Sequence, residues 1–133
     1  MIISVNNMNR RKMITIFCPM AIFLVALFRP PIIELFSGAM PGDIGDARLN
    51  NYFLENVYQF FFGNSSSLWH LPFFYPFPYV LGFSDNLFGS APVYLLARLL
   101  TGEPDTAFQA WFLVGYLVNY SATYYALRKL GAS

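Results

Sequence analysis

The chain has 133 residues, of which 56% are hydrophobic and only 11% are charged. Soluble domains average about 45–50% apolar and about 25% charged residues, so this composition predicts a membrane protein of a single domain. A net charge of +1 provides no basic face, which excludes a nucleic-acid partner. The single cysteine, Cys18, excludes an intramolecular disulfide and a cysteine-based metal site.

The first predicted element is a transmembrane helix at 13–29, preceded by a basic cytoplasmic tail at 1–12. Its 16 uncharged residues, 13–28, make a helix of about 24 Å at ~1.5 Å per residue, and snorkelling of Lys12 and Arg29 completes the crossing. The same pattern also fits a secretory signal peptide cleaved near 37–39. The second apolar run further along the chain favours the membrane anchor.

An amphipathic helix is predicted from Ala47 to Phe62, within an extracytoplasmic loop at 30–106. Apolar residues recur there at spacings of three and four, which is typical of a helix that lies along a membrane surface. Asp46 is placed as its N-cap, and Gly63 as its C-terminal stop. The predicted apolar face consists of Leu49, Phe53, Val57, Phe60 and Phe61, and the polar face of Arg48, Asn51, Glu55 and Gln59.

The segment Leu68–Phe83 is rich in aromatic residues and contains three prolines, so we expect it to be extended and irregular. A second short helix is predicted from Ser90 to Leu100, ended by Thr101 and Gly102. Together with the preceding helix, it is expected to lie at the membrane interface rather than to span the bilayer.

A second transmembrane helix is predicted at 107–127, where 21 uncharged residues correspond to about 31 Å of helix. A cytoplasmic end follows at 128–133. Basic residues lie at both outer ends of the chain, whereas all seven acids lie between the two spans, so both termini are expected in the cytoplasm. The predicted fold class is therefore an α-helical integral membrane protein with two transmembrane helices.

Acidic and amide side chains crowd together between residues 42 and 55. Asp43, Asp46 and Asn50 have the oxygen groups to hold a divalent metal, and either carboxylate has the chemistry of a general base. Helix capping explains both aspartates equally well. His70, the only histidine, is interpreted as an interfacial ring, because no second His or Cys completes a transition-metal site.

Several stretches carry a resemblance to a known family. These are the pattern Gly-Asp-x-x-Asp-x-x-x-Asn at 42–50, Leu54-Glu55, PFFYPFP at 72–78, FSDN at 83–86 and SAPVYLLARLLTGEPDTAFQAWFLVGYLVN at 90–119. They resemble the amino-terminal part of bacterial multi-pass membrane proteins of the GT-C glycosyltransferase superfamily, including YfhO-like proteins. The resemblance extends from Lys12 onward. The chain departs from it at Asn56, where those proteins tend to have His, and those proteins continue with further spans.

The resemblance implies a function for the acidic stretch. In that superfamily an acidic residue of the first loop is the catalytic base or a metal ligand while a sugar leaves a polyprenyl-phosphate carrier, and Asp43 and Asp46 stand in the matching place. Asn50, Glu55, Trp69, His70 and Tyr75 are the expected substrate or lipid contacts. The implied location is the bacterial inner membrane.

The implied partners are membrane lipid, the polyprenyl-phosphate sugar, and downstream helices or a partner subunit. The chain is then the N-terminal module of an enzyme and too short to act alone. The alternative is a non-enzymatic two-span membrane protein whose interfacial loop binds a partner.

Overall fold

The computed structural model of the chain describes residues 13–22, 25 and 44–131. Four α-helices occur in this part of the chain: α1 (13–22), α2 (Ile44–Phe61), α3 (Ala91–Thr101) and α4 (Pro104–Lys129). Between α2 and α3 the chain forms two short 3-10 helices, Pro72–Phe74 and Val80–Phe83. The helix predicted at 47–62 is found at Ile44–Phe61, and the short helix before Gly102 is confirmed. The aromatic segment was expected to be extended and irregular, but its two 3-10 helices make it turned rather than extended.

Helix α2 ends in a hydrogen-bonded C-cap that the local sequence determines. Gly63 adopts a φ of 77°, a left-handed conformation that glycine reaches without steric cost. Its amide donates to the carbonyl of Phe60 at 3.2 Å, and the amide of Asn64 donates to that of Gln59 at 2.8 Å. These two bonds form a Schellman motif, which satisfies the last carbonyls of the helix and redirects the chain.

Helices α3 and α4 form a tight antiparallel hairpin. Gly102 ends α3 with a φ of 74°, and its amide donates to the carbonyl of Arg98 at 3.0 Å. Only Glu103 follows before Pro104 begins α4, at the position where a missing amide proton costs nothing. Helix α2 lies across this hairpin and contacts both of its helices.

The core lies where α2, α3 and the first turns of α4 meet. Its buried side chains are Ala47, Leu54, Val57, Ala91, Tyr94, Ala107 and Phe108. A smaller cluster of Phe53, Leu71 and Leu81 attaches the aromatic segment to α2. Helix α1 is joined to the other end of α4, where the Tyr120 hydroxyl donates to the carbonyl of Ile16 at 2.8 Å.

The prediction of two transmembrane helices is wrong. Within 13–22, 25 and 44–131, no helix is both long enough and apolar enough to cross a bilayer. Residues 23–24 and 26–29 of the predicted first span, and the tail at 1–12, lie outside the described residues. The predicted multi-pass location in the inner membrane and the predicted orientation, with both termini in the cytoplasm, depended on these two spans. They are therefore wrong as well.

Helix α4 shows why the sequence was misleading. With 26 residues it exceeds the required length, but the 21 residues counted as uncharged are not all apolar. They include Gln109, Asn119, Ser121, Thr123 and four tyrosines, whose polar groups lower the mean hydropathy of the helix. Absence of charge was therefore a poor substitute for hydropathy.

The orientation of α2 also differs in part from its predicted faces. Phe53 and Val57 are buried as expected, but Leu49, Phe60 and Phe61 are exposed. Two members of the predicted polar face turn inwards instead, because Asn51 is buried and the Glu55 side chain is only 20% exposed. The reason is a set of polar partners on α3 and α4.

Candidate functional site

Five polar side chains from three helices meet at the centre of the structure. Asn51 and Glu55 lie one turn apart on α2, Tyr94 and Arg98 lie one turn apart on α3, and Asp105 is in the first turn of α4. We call these five residues the inter-helix network. A spacing of four residues places each pair on one face of its helix, and the packing of the three helices brings these faces together.

Glu55 is the most highly connected member of the network. Its Oε2 accepts hydrogen bonds from the Tyr94 hydroxyl at 2.8 Å and from Arg98 Nε at 3.0 Å. Its Oε1 accepts from Arg98 Nη2 at 3.3 Å and from Gln59 Nε2 at 2.6 Å. Both carboxylate oxygens are therefore engaged, which is the condition for keeping a carboxylate partly buried.

Asn51 extends the network from α3 to α4. Its Nδ2 donates to Asp105 Oδ1 at 2.9 Å, and its Oδ1 lies 3.1 Å from the Tyr94 hydroxyl oxygen. Tyr94 has one hydroxyl proton, so Glu55 and Asn51 share it in a three-centre bond. No buried side-chain polar atom of the described residues lacks a hydrogen-bond partner. The network is thus a closed structural unit.

The electrostatics of the network follow from this geometry. Burial raises the pKa of the Tyr94 hydroxyl well above its ordinary value of 10.0, and the hydrogen bond to Glu55 adds to the effect. The hydrogen bond to Glu55 also raises the pKa of Arg98. The Arg98 guanidinium lies 4.9 Å from the ring centroid of Tyr58 and donates to the carbonyl of Gly102. Because both pKa values are raised, Tyr94 stays protonated and Arg98 stays positively charged at neutral pH.

The predicted catalytic residues lie apart from this network. Asp46 is exposed in the first turn of α2, as the third residue of the helix and not at its N-cap as predicted, and Asn50, one turn later on the same face, is half-buried. Glu55 follows Asp46 by nine residues, which places it on the opposite side of the helix. Asp43 lies outside the described residues. The structure therefore separates Glu55 from Asp46 and gives it a structural role.

Trp69, His70 and Tyr75 lie together on the aromatic segment. Trp69 packs edge-on against Phe88, with ring centroids 5.6 Å apart, whereas Tyr75 is 88% exposed. His70 and Tyr75 line a shallow cavity of about 300 Å³. None of the contacts on this segment connects it with Asp46 among the residues that the structure describes.

The tautomer of His70 is determined by Ser67. The Ser67 Oγ accepts from the backbone amides of Trp69 and His70 at 3.2 and 3.1 Å, so its own proton is free to point at His70 Nδ1, 2.9 Å away. In the neutral ring, Nδ1 is then the acceptor and Nε2 carries the proton. The ring also packs on Tyr79 with centroids 4.5 Å apart. These contacts hold the imidazole in place on the surface.

The described residues contain no cluster of side chains that could hold a divalent metal. No three His, Cys, Asp or Glu side chains converge there. Asp43 is not among those residues, so the expected Asp43–Asp46 pair stays a prediction.

Three members of the network, Tyr94, Arg98 and Asp105, were missed from the sequence. A usable signal was present, because Asn51, Glu55 and Gln59 recur every four residues, as do Tyr94 and Arg98. This spacing identifies polar stripes on two helices, but it does not show that the two stripes face each other.

Comparison with known proteins gives no match: no family model, no curated protein and no solved structure is similar to this chain.

Proposed function

We propose that this chain is a helical packing module that binds further protein through apolar side chains left exposed on its helices. The single observation that carries the proposal is the outer face of α3. Leu96, Leu99 and Leu100 lie on that face, and Leu100 is 78% exposed. Their spacing of three and four residues makes a continuous apolar stripe, which we call the α3 leucine face.

The interior of the fold supports this interpretation of the α3 leucine face. Arg98, on the other side of the same helix, is fixed by Glu55, and Tyr94 is fully buried. The helix is therefore held in one orientation, and its leucines are exposed by that orientation rather than by loose packing. Large contiguous apolar patches on a well-packed fold mark protein-binding surfaces.

Self-association of the purified chain tests the proposal. Analytical ultracentrifugation should show a defined, concentration-dependent oligomer, since an apolar face without its partner pairs with another copy. Replacing Leu96, Leu99 and Leu100 by Gln should give a monomer with unchanged helical circular dichroism. The matched control is Arg48→Gln, a change of another exposed helical side chain. A wild-type chain that stays monomeric at high concentration would contradict the proposal.

The second candidate function is the one that the resemblance implies: a part of a glycosyltransferase that uses a polyprenyl-phosphate sugar, with Asp46 as general base. The exposed position of Asp46 at the start of α2 supports it, because a base must reach its substrate. Asp46 lies inside the first turn of α2, so Asp46→Asn removes only the interaction of its charge with the helix dipole, and loss of a purely structural role costs at most about 1 kcal/mol. Loss of a base lowers the rate about 10²–10⁴-fold.

Sugar transfer from a polyprenyl-phosphate donor, measured in extracts of cells that express the natural protein, separates the two roles of Asp46. At unchanged protein abundance, at least a ~100-fold drop for Asp46→Asn would support the base. Near-normal transfer would leave Asp46 as a first-turn acid that only interacts favourably with the dipole of α2.

A further inference from the structure

A groove runs between the first turn of α3 and the middle of α4, and none of the three leucines of the α3 leucine face lines it. It encloses about 570 Å³. Its wall includes Gly89 and Val93, and its floor includes Trp111, Gly115, Val118 and Asn119 of α4. On the floor, Trp111, Gly115 and Val118 follow a spacing of four and three residues, which is one row of the helix surface.

Gly115 gives the groove floor its depth. A Cβ built at this position would meet no atom within 4 Å, so the space above the glycine is open. Trp111 and Val118 rise on either side of it along the same row. When two helices pack, side chains of one helix fit into gaps between the ridges of the other, and the gap at Gly115 is such a position.

The charge distribution specifies the chemistry of that helix. No described residue that lines the groove is charged, and Asn119 is an exposed amide among apolar neighbours. Beyond the groove, Lys129 follows Val118 by about three turns and therefore lies on the same face of α4. Arg128 and Lys129 are exposed, and neither forms an ion pair within the described part of the chain.

We infer that the groove binds a partner helix that runs antiparallel to α4, with an uncharged apolar face over the groove and a carboxylate in its first turn opposite Lys129. The antiparallel direction places an acid at the N-terminus of the partner helix, where its dipole favours negative charge. The same direction brings that acid to the two cations at the end of α4. This inference rests on the proposed packing function and names the site and the kind of partner.

Two synthetic 18-residue peptides are the probes for this site. Both have an Ala- and Leu-rich helical face; one begins with Glu in its first turn and the other with Lys. Binding is measured by tryptophan fluorescence, since Trp111 lines the groove and the second tryptophan, Trp69, lies on the aromatic segment. The Glu peptide should bind about two- to fivefold more tightly than the Lys peptide at low salt, and the difference should vanish at 1 M salt.

Gly115→Leu is the decisive variant, because a Cβ at this position meets no described atom within 4 Å and the rest of the leucine side chain occupies the groove. Affinity for the Glu peptide should fall at least ~10-fold, since the partner backbone can no longer approach. Ser121→Leu is the matched control, because it adds the same side chain at another exposed position of α4 that does not line the groove. The affinity of the Ser121→Leu variant for the Glu peptide should stay within about twofold of the wild-type value. Val118→Ala, which removes an exposed contact without adding volume, should also weaken binding.

Wild-type affinity in Gly115→Leu would overturn the groove as the binding site. An apolar dye that is excluded by Gly115→Leu while neither peptide binds would instead assign the groove to a small molecule and overturn the partner helix. Either result leaves the packing function to be judged by the α3 leucine variants, which change residues that do not line the groove.

Discussion

Glu55 is the residue through which α2 is fixed to α3. Both of its oxygens accept hydrogen bonds, and the Arg98 side chain that pairs with it is only 14% exposed. A carboxylate in this position stabilises the fold only while its donors remain. Removing it leaves the Arg98 charge and the Tyr94 hydroxyl without their acceptor, which costs more than the ion pair itself contributes.

Glu55→Ala should therefore lower the free energy of unfolding by about 2–3 kcal/mol, below the ~3–5 kcal/mol typical of a fully buried pair, because both side chains retain some solvent. Urea denaturation followed by circular dichroism gives this value. Asp85→Ala, at an exposed acid, is the control and should stay within about 0.5 kcal/mol of wild type. Equal stability of the two variants would remove the structural role of Glu55.

Tyr94 makes the stability sensitive to alkaline pH. Its pKa in the folded state is raised above the ordinary value of 10.0, mainly by burial, so above pH 10 the unfolded chain loses a proton that the folded chain retains. The free energy of unfolding should then fall with pH, by up to ~1.4 kcal/mol per pH unit from this group.

Tyr94→Phe should be less stable than wild type at pH 7 by about 1–2 kcal/mol, but should lose less stability between pH 10 and 11. Denaturation curves at both pH values measure the difference. Tyr52, whose pKa is also raised by burial, is present in both proteins, so its contribution to the pH dependence cancels in the comparison. Parallel losses in the two proteins would show that Tyr94 ionises as freely in the fold as in the unfolded chain.

At the scale of the elements, two glycines of α3 and α4 have opposite roles. Gly102 ends α3 in the left-handed region, with φ 74°, whereas Gly115 lies inside α4 in ordinary helical conformation. A side chain at Gly102 is strained whatever the space around it. A side chain at Gly115 gains helix propensity and meets no neighbour.

Gly102→Ala should destabilise the fold by about 1–2 kcal/mol, and Gly115→Ala should stabilise it by about 0.5–1 kcal/mol. Replacing glycine by alanine should thus change the stability of the fold in opposite directions at these two positions. Thermal denaturation of both variants measures the signs. A stabilising Gly102→Ala would mean that the turn between α3 and α4 does not need the left-handed conformation.

Across the whole molecule, packing is concentrated at one end of α4. Ala107, Phe108 and Gln109 are buried against α2 and α3, whereas Val114, Val118, Tyr125 and Leu127 are exposed. One continuous helix therefore has a first half inside the core and a second half with few neighbours in the described structure. Local stability follows local burial.

Hydrogen exchange should resolve this division of α4. Amides at 107–112 should exchange only through global unfolding, and those at 116–127 through local opening that costs at least ~2 kcal/mol less. Mass spectrometry of peptic fragments measures both groups. Uniform protection along α4 would indicate that the second half is as tightly packed as the first, with the groove and the exposed face covered in solution.

The sequence alone determined the helices that begin and end on local signals. Gly63 and Gly102 stop α2 and α3 because glycine reaches positive φ without steric cost. The start of α4 was missed, because the predicted helix began at residue 107, although Pro104 in a first turn is itself a local signal. The spacing of four residues between Phe53 and Val57 also placed both on the apolar face of α2. These features depend on neighbouring residues only, so they could be derived from the chain in order.

Only the tertiary structure decided what the polar residues do. Asn51 and Glu55 read as a solvent-facing stripe, yet they turn inwards because Tyr94, Arg98 and Asp105 supply partners from residues 39 to 54 positions away. The membrane spans are corrected by hydropathy and not by packing, since uncharged residues such as Gln109 and Asn119 do not have the hydropathy of apolar ones. A polar group is buried when a distant partner offsets its lost hydration, and one-dimensional spacing does not contain that distance.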